Sequence, residues 1–248
     1  MESYFNNLKT TIEKFPVDAI FNGNEVVFLH KEQHLTIVFF ESYFPQKNKI
    51  TLPIDYLETQ FDKVVYFIQS KLQLNKIIYA RLCTIQKIDK STAANFINNY
   101  HLLNWVNCVH NYGLFYNNEL LCVASFSNGR KMNRLAPNQR SFELIRFCTK
   151  GGITVTGGLT KLLNHFCTEK NPGDVMTYID KQFSNGQSFI TAGFKLHSET
   201  LPNYFLVNKK TFERTLIKNY FVDFDKSQFY LTQNFGNLKL VYTYKKLL

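Results

Sequence analysis

Residues 142–194 read FELIRFCTK GGITVTGGLT KLLNHFCTEK NPGDVMTYID KQFSNGQSFI TAGF, and their hydrophobic spacing decides the fold. The apolar runs at 142–147 and 175–179 are short and bounded by Gly, Pro and Asp, which predicts two strands. Between them Leu159, Leu162, Leu163 and Phe166 recur on one helical face, predicting a helix over 159–167. A second, short helix should end at Gly193-Phe194. The order is strand, Gly-rich turn, helix, strand: a β-α-β unit. Gly157 and Gly158 fall where the chain enters the first helix, with Thr160 and Lys161 just inside it. Backbone without Cβ atoms lets a ligand approach closely, and the free N–H groups of a helix N-terminus favour a phosphate. Taken alone, such a pair is more often only a tight connection.

The run Ser188-Phe189-Ile190-Thr191-Ala192-Gly193-Phe194 resembles the short helix and Gly-Phe step that close acetyltransferases of the GNAT superfamily. That resemblance implies coenzyme A between two splayed parallel strands, with its pyrophosphate on the helix N-terminus. Gly157, Gly158, Thr160 and Lys161 would then hold acetyl-CoA or a related acyl-CoA. Glu143-Leu144-Ile145-Arg146-Phe147-Cys148, Gly157-Gly158-Leu159-Thr160-Lys161-Leu162, Tyr178-Ile179-Asp180 and Asn203-Tyr204-Phe205 are similar to the phage Mom family. That family is a GNAT-related group of DNA-modifying proteins acting on the exocyclic amine of adenine. The likeness runs over about 77–248 and includes Phe235-Gly236-Asn237-Leu238-Lys239-Leu240. It implies an α+β fold, a GNAT-like mixed β-sheet flanked by helices, with DNA as partner. This chain departs from the family at Phe189, where a Tyr is expected, and at Asp180-Lys181-Gln182-Phe183, where the family has an Arg-rich aromatic run.

Four residues are candidates for chemistry. Asp180 follows a strand, so its carboxylate should stand at the carboxyl end of the sheet, where it could accept a proton or hold an adenine edge. A turn-forming Asp fits the position as well. Ser184 could add a hydroxyl there. Arg146 lies inside an apolar strand, where a cation needs a partner or a cleft. It could pair with Asp180 or clamp a phosphate or carboxylate of the donor, whereas pairing with Glu143 is not expected, since residues three apart on a regular strand face opposite ways. His101 stands where the similar proteins carry a His, and a core histidine is the alternative. Tyr112, with Trp105 and Tyr116, could stack a base drawn out of the duplex, or serve as core.

Charge is unevenly placed. Residues 1–76 carry nine acidic and eight basic side chains, whereas residues 77–248 carry ten acidic and 21 basic. A field of that sign attracts polyanions. Arg130, Lys131, Arg134 and Arg140 lie in one polar loop between strands and are the candidate phosphate contacts.

The remaining chain supports two domains, a small α/β unit over 1–76 and the transferase-like domain over 77–248. In the first, runs at 26–30 and 35–40 predict a hairpin, and Leu57, Phe61, Val64, Ile68 and Leu72 predict one helix starting near Ile54. The run 35–44, this helix and Lys76-Ile77-Ile78-Tyr79-Ala80-Arg81-Leu82-Cys83 are similar to phage homing-endonuclease-like proteins, in which a nuclease domain precedes a Mom-like one. Asp18 and Glu25 would be its remnants, but Glu25-Val26-Val27 lacks the Lys such a site wants, so no working nuclease is expected. In the second domain Asp89 or Ser91 should cap a helix reaching Tyr100, and Asn117-Asn118 should turn a hairpin. Runs at 229–232 and 238–244 flank Gly236 as a terminal hairpin. The five cysteines are scattered among apolar neighbours without a C-x-x-C. Reduced core cysteines, a cytoplasmic location, and neither a secretory signal, a metal site nor membrane insertion are the expectations.

Overall fold

The computed structural model describes residues 2–40, 49–218 and 223–244. Two compact units share the chain: Met1–Leu74 with Asp180–Ser184 and Thr200–Asn237, and Asn75–Ile179 with Asn185–Glu199 and Leu238–Leu248. Residues 200–237 thus group with the N-terminal segment, whereas the sequence places them in the second domain.

The first unit opens with α1 (Glu2–Ile12), then β1 (Asp18–Asn22), β2 (Glu25–His30), β3 (Gln33–Phe40) and β4 (Ile50–Pro53). These strands form one sheet in that order, with β1, β2 and β3 antiparallel and β3 parallel to β4. The predicted hairpin is present as β2 and β3; residues 41–44 of the run 35–44 lie outside the described residues. The single helix expected from Ile54 is two, α2 (Asp55–Thr59) and α3 (Phe61–Lys71), because Gln60 leaves the helical region at φ −145°. Hydrophobic spacing carries no mark of a one-residue break. Val26, Phe28, Ile37, Phe39, Leu52, Val64 and Ile68 are buried.

The second unit contains β5 (Lys76–Tyr79), a 3₁₀ turn (Ala80–Leu82), β6 (Thr84–Lys87), α4 (Lys90–Tyr100), β7 (His110–Tyr116), β8 (Glu119–Phe126), β9 (Ser141–Thr149), β10 (Ile153–Thr156), α5 (Gly158–Lys170), β11 (Asp174–Asp180), α6 (Gln187–Thr191) and β12 (Lys195–Glu199). The chain then forms β13 (Tyr204–Asn208), β14 (Arg214–Ile217) and β15 (Phe229–Gln233), a three-stranded antiparallel sheet of the first unit. It ends with β16 (Asn237–Thr243) in the second unit's seven-stranded sheet, ordered β12-β16-β11-β9-β8-β7-β6. The terminal hairpin read from the sequence is therefore not formed: β15 pairs with β13, and β16 with β12.

That sheet is mixed. β6 to β9 are antiparallel, β9 and β11 are parallel, and β12 and β16 are antiparallel. The β7–β8 turn uses Asn117 and Asn118, both at positive φ, which matches the twist of the strands it joins. Asp89 caps α4 by accepting the Thr92 N–H at 2.8 Å. Ala93, Phe96 and Ile97 of α4 pack with Val123 and Cys148 on one face. Leu159, Leu162, Leu163 and Phe166 of α5 pack with Leu114, Ala124, Phe126 and Leu144 on the other. Helices on both faces of a mixed sheet give the expected α+β arrangement. Part of the predicted Gly-rich turn is β10, which pairs in parallel with β5.

No helix among the described residues is long and apolar enough to cross a membrane.

Candidate active site

The sheet forks. β9 and β11 pair over only three rungs, Ser141, Phe142 and Glu143 opposite Asp174, Val175 and Met176, and then part. A buried polar knot fixes the closed end: the Asp174 carboxylate accepts from Ser141 Oγ and from Arg134 Nη2, the latter at 2.6 Å. Beyond the last rung, Thr177 Oγ1 donates to the Leu144 carbonyl at 2.9 Å, so a side chain replaces the missing ladder bond.

α5 lies between β9 and β11 in the chain and is entered from β10. Gly157 is its N-cap at φ +80°, a left-handed conformation that favours glycine, and no side chain caps the helix. The first intrahelical bond is Lys161 N–H to the Gly157 carbonyl at 3.0 Å, so the N–H groups of Gly158, Leu159 and Thr160 have no acceptor within the helix. Gly157, Gly158 and exposed Thr160 thus gather as the sequence places them. Lys161 turns away: its Nζ donates to the carbonyls of Ala80 at 2.9 Å and Cys83 at 2.5 Å, tying α5 to the β5–β6 connection rather than serving as a free phosphate arm.

A bulge next to the fork changes the reading of β9. Ser125 of β8 pairs with Arg146 but Phe126 pairs with Leu144, leaving Ile145 as an extra residue. The side-chain alternation therefore inverts. Phe142, Leu144 and Phe147 pack on the α5 side while Cys148 packs on the α4 side. Glu143 and Arg146 consequently share the α4 face, contrary to the expectation from a regular strand, and their charges interact.

The Arg146 guanidinium is taken up by backbone carbonyls rather than by Asp180. Nε donates to the Asn104 carbonyl at 2.8 Å, Nη1 to Ile145 at 2.9 Å and Nη2 to Leu103 at 3.2 Å. It clamps the segment after α4 onto the bulge, and burial pulls its pKa down despite the favourable charges of Cys108 and Glu143. His101 belongs to the clamped turn, its Nδ1 accepting the Leu103 N–H at 3.1 Å. Cys108 is fully buried and its thiol is pushed up to about 11 by burial, with Arg146 pulling down and Glu143 pushing up. Glu143 was not singled out by the sequence; only the bulge places it beside this group.

Asp180 ends β11 but belongs with Ser184 to the first unit. Its carboxylate accepts from Asn234 Nδ2 and from the Gln182 N–H, both at 2.9 Å, and its carbonyl accepts the Phe183 and Ser184 N–H groups. Burial is the foremost influence and raises its pKa, opposed by those two hydrogen bonds and by Arg214.

The proposed nucleic-acid contacts divide. Arg130 and Lys131 are exposed, whereas Arg134 holds Asp174 and Arg140 Nη1 donates to the carbonyls of Pro137 and Gln139. Tyr112 cannot stack a base: it is fully buried, with its hydroxyl donating to Glu169 at 3.0 Å. No group of His, Cys, Asp and Glu able to hold a metal occurs among the described residues, and Glu25 pairs with Lys49.

No protein-family model matches the chain, and no curated protein matches it. Similar solved structures include a GNAT family acetyltransferase from Elizabethkingia anophelis with acetyl-CoA bound, 11% identical, covering 66% of this chain and 99% of that one, with a TM-score of 0.37. Arabidopsis thaliana Naa50, in complex with a bisubstrate analogue, is 11% identical over 66% of this chain and 99% of that one, with a TM-score of 0.41. The ribosomal-protein-S18-alanine N-acetyltransferase from Escherichia coli is 12% identical over 67% and 98%, with a TM-score of 0.40.

Proposed function

We propose that the second unit transfers an acyl group from an acyl-CoA to an amino group. The observations that carry this reading are the fork between β9 and β11, open toward their carboxyl ends, and the N-terminus of the helix that joins them in the chain, whose glycine cap leaves its first N–H groups without intrahelical acceptors. Those N–H groups suit a pyrophosphate, and the gap between the strands suits a thin, extended arm that can add its own hydrogen bonds to unpaired backbone. Acetyl-CoA or a related acyl-CoA supplies an activated thioester when bound. Glu143, at the last closed rung, would be the base that takes the proton the acceptor nitrogen loses on acylation, and the acid that gives it up to the leaving thiolate. Arg146 keeps the segment after α4 in place against that carboxylate.

The finer reading is modification of the exocyclic amine of adenine in phage DNA, supported by the Mom-like motifs and by the basic excess after residue 76. A second reading, a DNA-binding accessory protein without catalysis, is favoured by Lys161, whose ammonium is committed to two carbonyls at the helix that would otherwise seat the donor. Calorimetric titration with coenzyme A tests the transfer reading: saturable binding is expected, and a folded protein that does not bind overturns it. Nucleosides from expressing cells, measured by mass spectrometry, should contain a modified adenine that disappears in Glu143→Gln. Unmodified nucleosides together with salt-sensitive DNA binding would favour the accessory protein.

A further inference from the structure

A polar row crosses the α4 face of the second unit's sheet. Asn111 of β7 lies directly opposite Ser125 of β8, and Ser125 opposite Arg146 of β9. The flanking Val123 and Cys148 pack against α4, which fixes the face, and Glu143 shares it because of the bulge at Ile145. Neighbours across a strand pair hold their Cβ atoms about 5 Å apart, so Asn111, Ser125 and Arg146 adjoin in a row, with Glu143 beside Ser127 one diagonal step from Ser125. Asn111 is 2% exposed and Ser125 0%. Yet Asn111 Oδ1 and Ser125 Oγ are both buried without a hydrogen-bond partner. The Glu143 carboxylate meets Arg146 and Cys108 through charge alone. Buried polar atoms are normally bonded, so two orphans on one row beside an unbonded carboxylate call for an occupant.

We infer that Asn111, Ser125 and Glu143 form the seat of the amino group that receives the acyl group. This deepens the transfer reading above and rests on it. The donor and acceptor inventory sets the ligand class: an amide oxygen and a carboxylate can only accept, and a hydroxyl can do either, so the occupant must bring hydrogen-bond donors, which the N–H groups of an amine supply. A carbonyl, ether or hydrocarbon group would leave the orphans unpaired. The fork joins the two faces of the sheet at Glu143, so a donor seated at α5 and an acceptor on the α4 face would meet there.

An amino group can come from a nucleobase or from an aliphatic amine, and paired probes separate the two. Full-length protein is titrated calorimetrically, with and without coenzyme A, with adenosine against purine riboside and with n-butylamine against methyl propyl ether, neither control bearing a donor in place of the amino group. The amino member of one pair should bind about tenfold tighter or more, since its partner leaves buried acceptors unmet. Asn111→Leu and Ser125→Ala should each close that gap while melting no lower than the parent, because neither removes an existing side-chain bond from these orphan atoms. Ser125→Ala is close to isosteric and keeps the test valid should Asn111→Leu misfold. Equal binding within both pairs overturns the inference, as does a preference that survives both substitutions, in which case the row holds internal water only. Coenzyme A binding without amino preference removes this inference and leaves the transfer reading; absence of coenzyme A binding removes both, whatever the amino preference.

Discussion

Asp180 is a carboxylate on which burial and hydrogen bonding act in opposite directions. Asn234 is well placed to oppose burial, because its Oδ1 accepts from the Asn203 and Gly236 N–H groups at 2.8 and 3.0 Å, which turns its amide N–H toward Asp180. Burial still wins and the pKa is raised. The folded state therefore keeps the proton to a higher pH than the unfolded chain, where an Asp titrates at about 3.9. Stability from this group is highest below that value and falls as pH rises through the raised folded pKa. Asp180→Asn carries no such titration, so its urea midpoint relative to the parent should climb from about pH 4 toward neutrality. A difference that stays flat with pH would mean the carboxylate is as well solvated folded as unfolded. The sequence places Asp180 at a strand end, but Asn234, the side chain that holds it, comes from 54 positions away.

At the scale of elements, the N-terminus of α5 and the bulge in β9 have opposite legibility. Gly157 announces itself: a Gly-Gly step before an apolar helical stripe marks a helix entry, and the structure shows the positive φ that requires glycine. Ala80 Cβ lies 3.7 Å from where a Cβ on Gly157 would stand, an ordinary contact, so Gly157→Ala meets a conformational penalty rather than a clash. It should cost about 1–2 kcal/mol in urea unfolding and weaken coenzyme A binding in the same calorimetric titration. A loss of stability with unchanged coenzyme A affinity would separate the helix entry from ligand seating. The bulge leaves no such trace. Ile145 looks like any strand residue, and its extra position exists only because β8 pairs at Ser125–Arg146 and again at Phe126–Leu144. That register turns Arg146 from an expected phosphate clamp into the brace of the 101–104 turn, and brings Glu143 to the same face.

At the scale of the whole molecule, the first unit is assembled from three stretches of chain. Its buried Asp55, 1% exposed, is held by Arg214 through Nε at 2.5 Å and Nη2 at 2.9 Å and receives the Tyr230 hydroxyl at 3.3 Å. Arg214 stacks 4.4 Å from the Tyr56 ring. Removing one partner of a buried pair strands the other charge, so Arg214→Ala should cost about 3–5 kcal/mol in urea unfolding. A fragment ending at Leu74 lacks Arg214 and the β13–β15 sheet and should show no cooperative thermal transition by circular dichroism; a cooperative melt would show that the N-terminal segment is a domain by itself.

Local spacing by itself determined the strands at 142–147 and 175–179, the helix between them, the Asn117-Asn118 turn and the glycine entry to α5, because each depends on residues within about one turn or one strand of each other. The forked strand pair was implied by motif resemblance rather than by periodicity. What only the tertiary structure decided is which strands pair, where β9 gains its extra residue, and which distant segments complete a unit. These are set by hydrogen-bond register and burial between residues far apart in the chain, where one inserted residue inverts every side chain that follows.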